Sequence, residues 1–484
     1  MAIKIVQKKG VVLERNIKGD HCLFVLNNST LKEFPYAKEL DRKLKRTHKK
    51  MTVLLKEPIT LELNDGRFIS FIVADKNLST FQRHTLIRKG TQPLLQENPD
   101  MLTIGLFGDD KLKEINARAA VYVSLLNSQA LPSRKKEDSK KNIKSIELLG
   151  VEVKDQFEHE TAVVIGNTLT RELTMLPPNE LTPLIYRTKI KSFAKSYGWR
   201  HQEFDMTQLK KMGAGSFVAV GQGSEPQDAA IVHLTYKPKT INKTIAVIGK
   251  GICFDTGGHN LKPARYMHGM HEDMNGSAVS LGILLTATLL KLPIQIDCWL
   301  AIAQNHIGPK AYKQNDVVKS LNGISIEIMH TDAEGRMVLA DTLTLASRLK
   351  PDMMMDFATL TGSMATALGD RYSGVLSNRP ELSCLAVGAG SEAGERITAF
   401  PFDADYEEDL DSIIADIKQC TLEGGADHIH AARFLNRFIE KNVPWLHIDL
   451  SSSNRKGGLG AALSDVNGFG VSFGIQVLQK ILAK

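Results

Sequence analysis

The second half of the chain alternates short apolar runs with long helical patterns, and no other feature constrains the fold as tightly. The runs are TIAVIG (244–249), IQIDCWLAIA (294–303), ISIEIM (324–329), MMMDFATL (353–360) and WLHIDL (445–450). Strands apolar at nearly every position must be covered on both faces, which helices do in α/β folds. The expected architecture is therefore an α/β/α sandwich around a central mixed, mostly parallel sheet. At 484 residues the chain exceeds what one core usually serves. Ahead of the sandwich, β-branched runs such as MTVLLK (51–56) and FISFIVA (68–74) alternate with polar helical stretches, giving a smaller α/β domain over 1–155. Residues 156–178 read as a linking helix ending at Pro177 and Pro178, and 179–484 as the larger domain.

Composition removes several classes. Apolar residues at 43% and charged residues at 24% are ordinary for folded globular chains and unlike fibrous or disordered ones. No apolar run reaches the roughly 18 residues that span a bilayer. The opening MAIKIVQKKGVVLERN has neither an apolar core nor a cleavage site of a secretory signal, so a cytoplasmic address is expected. The five cysteines are odd in number and form no CxxC pair, which disfavours a disulfide framework or a cysteine zinc site. Much of the net charge of +7 lies in RKLKRTHKK (42–50) and SRKKEDSKKNIK (133–144). Nucleic acid binding or an architectural role through these runs is the alternative function. A solvated helix face and a surface loop is the preferred reading, because no aromatic residues interleave them.

The chemistry concentrates in two segments. Residues 249–278, GKGICFDTGGHNLKPARYMHGMHEDMNGSA, set Lys250, Asp255, Lys262 and Asp273 among glycines just after an expected strand. That is the sheet edge where open α/β folds place ligands. The spacing fits neither a phosphate loop nor a dinucleotide fingerprint, since Phe254 stands where the third glycine belongs. Asp273, taken alone, also reads as the cap of the helical run that follows it. The second segment, HTDAEGRMVLAD (330–341), follows another expected strand. If the chain stays extended there, Asp332, Glu334 and Arg336 share one side. Four carboxylates at the strand ends of one domain would repel one another and raise each other's pKa unless cations joined them. Hard oxygen donors suit manganese, magnesium or zinc, and bridging carboxylates suit two ions about 3.5 to 4 Å apart. No HExxH motif or cysteine/histidine quartet is present, which disfavours a mononuclear zinc site.

At these residues the chain resembles the leucyl aminopeptidase family, the cytosol aminopeptidases. TDAEGRMVLAD (331–341) is similar to that family's signature, and Lys250, Asp255, Lys262 and Asp273 fall at its spacing. LPPNELTP (176–183), VAVGQGS (218–224), ATLTG (358–362) and GGADHIHAARFL (424–435) add to the match, which runs over about residues 160–475 and is weak before that. The resemblance implies a catalytic C-terminal domain that removes N-terminal residues from short peptides. It implies one metal ion on Asp255, Asp332 and Glu334, and a second on Lys250, Asp255, Asp273 and Glu334, manganese or zinc in each case. It further implies that Lys262 stabilises the oxyanion and that Arg336, with the backbone near Leu360, holds a bicarbonate that shuttles the proton. Met270, Thr359, Gly362 and Ser451 would line the pocket for the N-terminal side chain. Ser451 and Asn454 are more polar than the family's usual residues, so the expected preference leans away from leucine. His330 replaces the signature's asparagine and is expected to support Asp332, with His268 and His271 as loop residues. A homohexamer is implied as well, with an N-terminal domain serving assembly or partner binding. The complete set of seven polar residues speaks against a catalytically idle homologue.

Overall fold

A computed structural model describes residues 3–31, 33–136 and 142–483 of the chain. Part of the lysine-rich stretch expected as a loop, 137–141, lies outside the described residues. The chain divides into two compact units, one of residues 1–164, 391–395 and 455–467, the other of 165–390, 396–454 and 468–484. The division falls inside a helix, Glu158–Thr174, and two short segments from the second half belong to the first unit. No described helix is long and apolar enough to cross a membrane.

The first unit is built on six strands: β1 (Lys4–Lys8), β2 (His21–Leu26), β3 (Ile59–Glu62), β4 (Phe68–Val73), β5 (Met101–Leu106) and β6 (Ser145–Leu149). Their order is β1-β6-β5-β2-β4-β3, parallel except for the β3–β4 edge pair. Along β2, Leu23 and Val25 enter one core while Cys22, Phe24 and Leu26 enter another, as a period of two with both faces covered requires. Helices α1 (Thr80–Gln96) and α2 (Asp110–Ser128) cover the first face. The run MTVLLK, expected as a strand, is instead a single-turn helix at Met51–Leu55. Only Leu54 of it is fully buried, so it lacks the alternating burial that holds a strand in a sheet.

In the second unit the main strands are β7 (Arg200–Asp205), β8 (Ala230–Tyr236), β9 (Lys243–Asp255), β10 (Ile294–Asn305), β13 (Met353–Ala358), β14 (Ser373–Ser377), β15 (Ile397–Ala399) and β17 (Trp445–Asp449). They form one mixed sheet in the order β15-β14-β17-β13-β9-β10-β8-β7, whose centre β17-β13-β9-β10 is parallel. The strands β11 (Val317–Lys319), β12 (Ser325–Glu327) and β16 (Ile417–Lys418) make a separate small sheet. ISIEIM therefore does not join the central sheet, because its short strand pairs with β11 and β16. Along β9, Ile245 and Val247 face one core and Ala246 and Ile248 the other. The first core is shared with helix α3 (Asn275–Leu289), the second with α4 (Glu334–Arg348) and α5 (Asp427–Asn436).

Helix α3 approaches the sheet unusually closely at its start. A Cβ on Gly276 would lie 2.0 Å from the carbonyl oxygen of Phe357, and one on Gly249 would lie 2.4 Å from the Cα of Ser277. Backbone packs directly on backbone there, and the helix start is brought down beside the ends of β9 and β13. Gly276→Ala is expected to cost at least about 1–3 kcal/mol, the usual penalty for overpacking. A thermal or denaturant unfolding curve checks this, and an unchanged midpoint would refute the close-packing argument.

Candidate active site

Lys250 and Asp255 lie five residues apart on β9, so a regular strand would send them to opposite faces. The register shows why they meet. Ala303 pairs with Ile252 and Asn305 with Asp255, so β9 carries one extra residue across that interval. The bulge reverses the alternation, and Asp255 turns back to the side of Lys250. Asn305 then donates to Asp255 Oδ1 at 2.9 Å, as does the N–H of Gly257 at 2.8 Å.

The chain does not stay extended through 332–336: Glu334 begins α4, and Arg336 sits in its first turn. Gly335 leaves the space that Lys250 fills, since a Cβ there would fall 2.6 Å from the lysine Cε. Asp273 belongs to a short turn, Met270–Met274, just before α3, and the helix receives no side-chain cap at that end. Its Oδ1 accepts from the hydroxyl of Thr359 at 2.7 Å.

The four carboxylates converge around two ammonium groups. Lys250 Nζ lies 2.8 Å from Asp273 and 2.9 Å from Glu334, and donates to the carbonyl of Thr359 at 2.9 Å. Lys262 Nζ lies 2.9 Å from Asp255 and 2.5 Å from Asp332. Carboxylate oxygens of Asp255, Asp273 and Glu334 come within 4.8 Å of one another, all three residues being buried. Burial, reinforced by Glu334 and Asp255 against the opposing pull of Lys250, holds Asp273 well above the usual carboxylate range. Burial and the charges of Glu334 and Asp255 push Asp332 up to about 7 despite Lys262. Burial alone would lower Lys250, but Asp273, Glu334 and Asp255 outweigh it and keep the ammonium protonated. Four carboxylates facing two ammoniums leave a deficit of positive charge among hard oxygen donors. The residues present thus fit divalent metal ions.

All of these residues line one cavity of about 480 Å³, together with Met270, His330, Arg336, Thr359, Leu360, Gly362, Asp427 and Ser451. His330 accepts the N–H of Asp332 at its Nδ1, 3.3 Å away, and gives its own N–H to Gln419 at 3.2 Å. Asn454 is not part of the cavity lining, and both oxygens of Glu272 accept from its amide at 2.8 Å. Ser451 spends its hydroxyl proton on the carbonyl of Tyr372 at 2.6 Å. His268 and His271 lie outside the lining.

The groups expected to hold a bicarbonate are partly engaged within the chain, although Arg336 Nε has no partner among the described residues. Arg336 Nη2 already donates to both oxygens of Asp427 at 2.8 Å, and Nη1 to the carbonyl of Gln419 at 3.1 Å. The N–H of Leu360 is given to Asp449 at 3.0 Å. Asp427, Gln419, Asn305 and Asp449 were not singled out by sequence reasoning. Asp427 stood inside a quoted block, but an acid opening a helix after two glycines looks like an ordinary helix start.

Fold and site together define an α/β/α domain with a buried carboxylate and lysine centre at the ends of its parallel strands. The catalytic-domain model of the cytosol aminopeptidase family matches residues 168–474. The chain belongs to the cytosol aminopeptidase family. A probable cytosol aminopeptidase of Pseudomonas fluorescens strain SBW25 is 41% identical over 319 residues, 64% of each chain. One of Stutzerimonas stutzeri strain A1501 is 42% identical over 297 residues, 60% of this chain and 59% of the relative. These matches span less than two thirds of the relatives' length. Another, of Rickettsia canadensis strain McKiel, is 34% identical over 355 residues, 72% of this chain and 70% of that one. The solved structure of the bottromycin maturation enzyme BotP in complex with Mn is 27% identical, with a TM-score of 0.83 over 96% of this chain and 100% of that one.

With Asp332 pushed up to about 7, a carboxylate that must ionise to bind metal competes with its own proton. Affinity for manganese(II), measured by calorimetry, is expected to weaken as pH falls from 8 to 6, by roughly tenfold in all for the proton displaced from Asp332. Asp332→Asn should weaken binding at pH 8 and flatten this dependence. A pH-independent affinity in the unaltered protein would contradict the assignment.

Proposed function

We propose that the chain is a metal-dependent aminopeptidase that hydrolyses the N-terminal peptide bond of short peptides. The observation that carries this reading is the convergence of Lys250, Asp255, Lys262, Asp273, Asp332 and Glu334 on one buried centre in a chain of the cytosol aminopeptidase family. The metal bound in the BotP structure supports it.

In this reading Asp255, Asp332 and Glu334 hold one ion, and Lys250, Asp255, Asp273 and Glu334 the other, manganese or zinc. Bound there, the ions supply an activated water and a Lewis acid for the scissile carbonyl. The chain's own groups do the rest. Lys262, partly exposed at the cavity wall, keeps its proton and faces the oxyanion that develops on the carbonyl. His330 holds the backbone of Asp332, and Thr359 orients Asp273. Met270, Thr359, Gly362 and Ser451, with Ala365, line the pocket for the N-terminal side chain. Because the Ser451 proton and the Asn454 amide are committed within the chain, the pocket suits an apolar residue rather than a polar one.

Assembly as a homohexamer and a cytoplasmic location go with the family and belong to the same proposal. Three cations of the basic run 42–50 are engaged within the chain, which weighs against nucleic acid binding through it. Lys45 pairs with Asp41 there, Lys49 with Glu57, and Lys43 donates to the carbonyl of Thr60.

Purified protein is expected to hydrolyse leucyl and methionyl p-nitroanilides, to stop when metal is chelated, and to recover with manganese or zinc. Lys262→Met should lower kcat by about 10²–10³, the loss seen on removing one oxyanion donor, with little change in KM. Inactivity on all aminoacyl substrates under every metal would leave the idle-homologue reading standing instead.

A further inference from the structure

Arg336 is 2% exposed, and a guanidinium so buried requires an anion. The chain supplies its own. Asp427 meets Arg336 Nη2 with both carboxylate oxygens at 2.8 Å, a paired contact that fixes the plane of the carboxylate. It opens α5, directly after Ala426 in the left-handed region at φ 53°, where the helix N-terminus favours negative charge. Asp427 keeps 22% of its side chain exposed and lines the same cavity as Lys262, Asp332 and Arg336. The N–H of Leu360, in the stretch of backbone expected to cradle a bicarbonate, is held by Asp449, which is itself buried and bonded to Thr361.

We propose that Asp427 is the anion Arg336 presents to the reaction, standing where bicarbonate would bind, and that it carries the proton during hydrolysis. This rests on the aminopeptidase reading above. As the attacking water's oxygen bonds to the scissile carbonyl carbon, one of its protons passes to the Asp427 carboxylate. As the C–N bond breaks, that proton passes to the leaving nitrogen, which departs as an amine. The water is divided between the two products, no electrons are exchanged with an outside reagent, and Asp427 ends as the carboxylate it began.

The test pairs activity with direct binding, using the full-length, manganese-loaded protein. Unaltered protein is expected to turn over equally fast in buffer stripped of carbon dioxide and in buffer with added bicarbonate, and to show no bicarbonate binding by calorimetry. Asp427→Ala opens the anion site, so kcat should fall by about 10²-fold or more, as for loss of a proton carrier. Added bicarbonate should then restore much of it, and the variant should now bind bicarbonate by calorimetry. Asp427→Asn keeps the shape without the proton, and its activity should fall without rescue. Bicarbonate binding or dependence in the unaltered protein overturns the proposal. So does an Asp427→Ala variant that keeps full activity, or one that is slow but neither rescued by bicarbonate nor able to bind it. If no aminoacyl substrate is cleaved at all, the aminopeptidase reading fails, while calorimetry on the two proteins still decides whether Asp427 fills the anion site.

Discussion

Lys250 lies between Asp273 and Glu334, and Lys262 between Asp255 and Asp332, so positive and negative groups alternate across one wall of the cavity. At about 4 Å and an effective dielectric near 20, two like charges repel by about 4 kcal/mol. Three buried carboxylates within reach of one another are therefore untenable without cations. The two lysines meet part of that demand, and the raised proton affinity of Asp273 and Asp332 records the part left unmet. A divalent ion answers the same demand more completely, which ties the protonation state of the site to its occupancy.

The backbone is shaped to keep this arrangement. One extra residue in β9 turns Asp255 to the side of Lys250, and glycines at 249 and 276 let α3 settle onto the sheet so that Asp273 reaches the same point. Asn305, on the neighbouring strand, ties Asp255 to the carbonyl of Thr331, and Thr331 in turn accepts from the N–H of Asn260. Asp255 and Asp273 are thus held by neutral donors as well as by a lysine.

Much of this was legible in the sequence, and the exceptions have physical causes. Runs apolar at nearly every position marked β9, β10, β13 and β17, because strands covered on both faces carry few polar residues to blur the pattern. ISIEIM carries the same signal, yet its three paired residues belong to the small sheet, since pairing partners are chosen by tertiary contact and not by hydropathy. The segment 249–278 was recognisable from its charged residues, but the β9 bulge that brings Asp255 to the side of Lys250 has no local signature. Nor did an extended reading of 332–336 anticipate that Glu334 would start a helix. Asp427 escaped notice for a different reason: its role depends on Arg336, which is 91 residues away in the chain.

The two lysines differ in a way that sorts their roles. Lys250 is 3% exposed and enclosed by Asp273, Glu334 and the carbonyl of Thr359, so it has no room to swing aside. A cation entering between those acceptors must meet it as a neutral amine, because two adjacent positive charges in that enclosure would repel. Lys262 is 14% exposed and reaches the site from a loop, so it can rotate toward a bound substrate and keep its charge. Burial therefore suits one lysine to become a ligand and the other to remain an ammonium. The distinction follows from where each side chain ends, since the two begin with the same intrinsic chemistry.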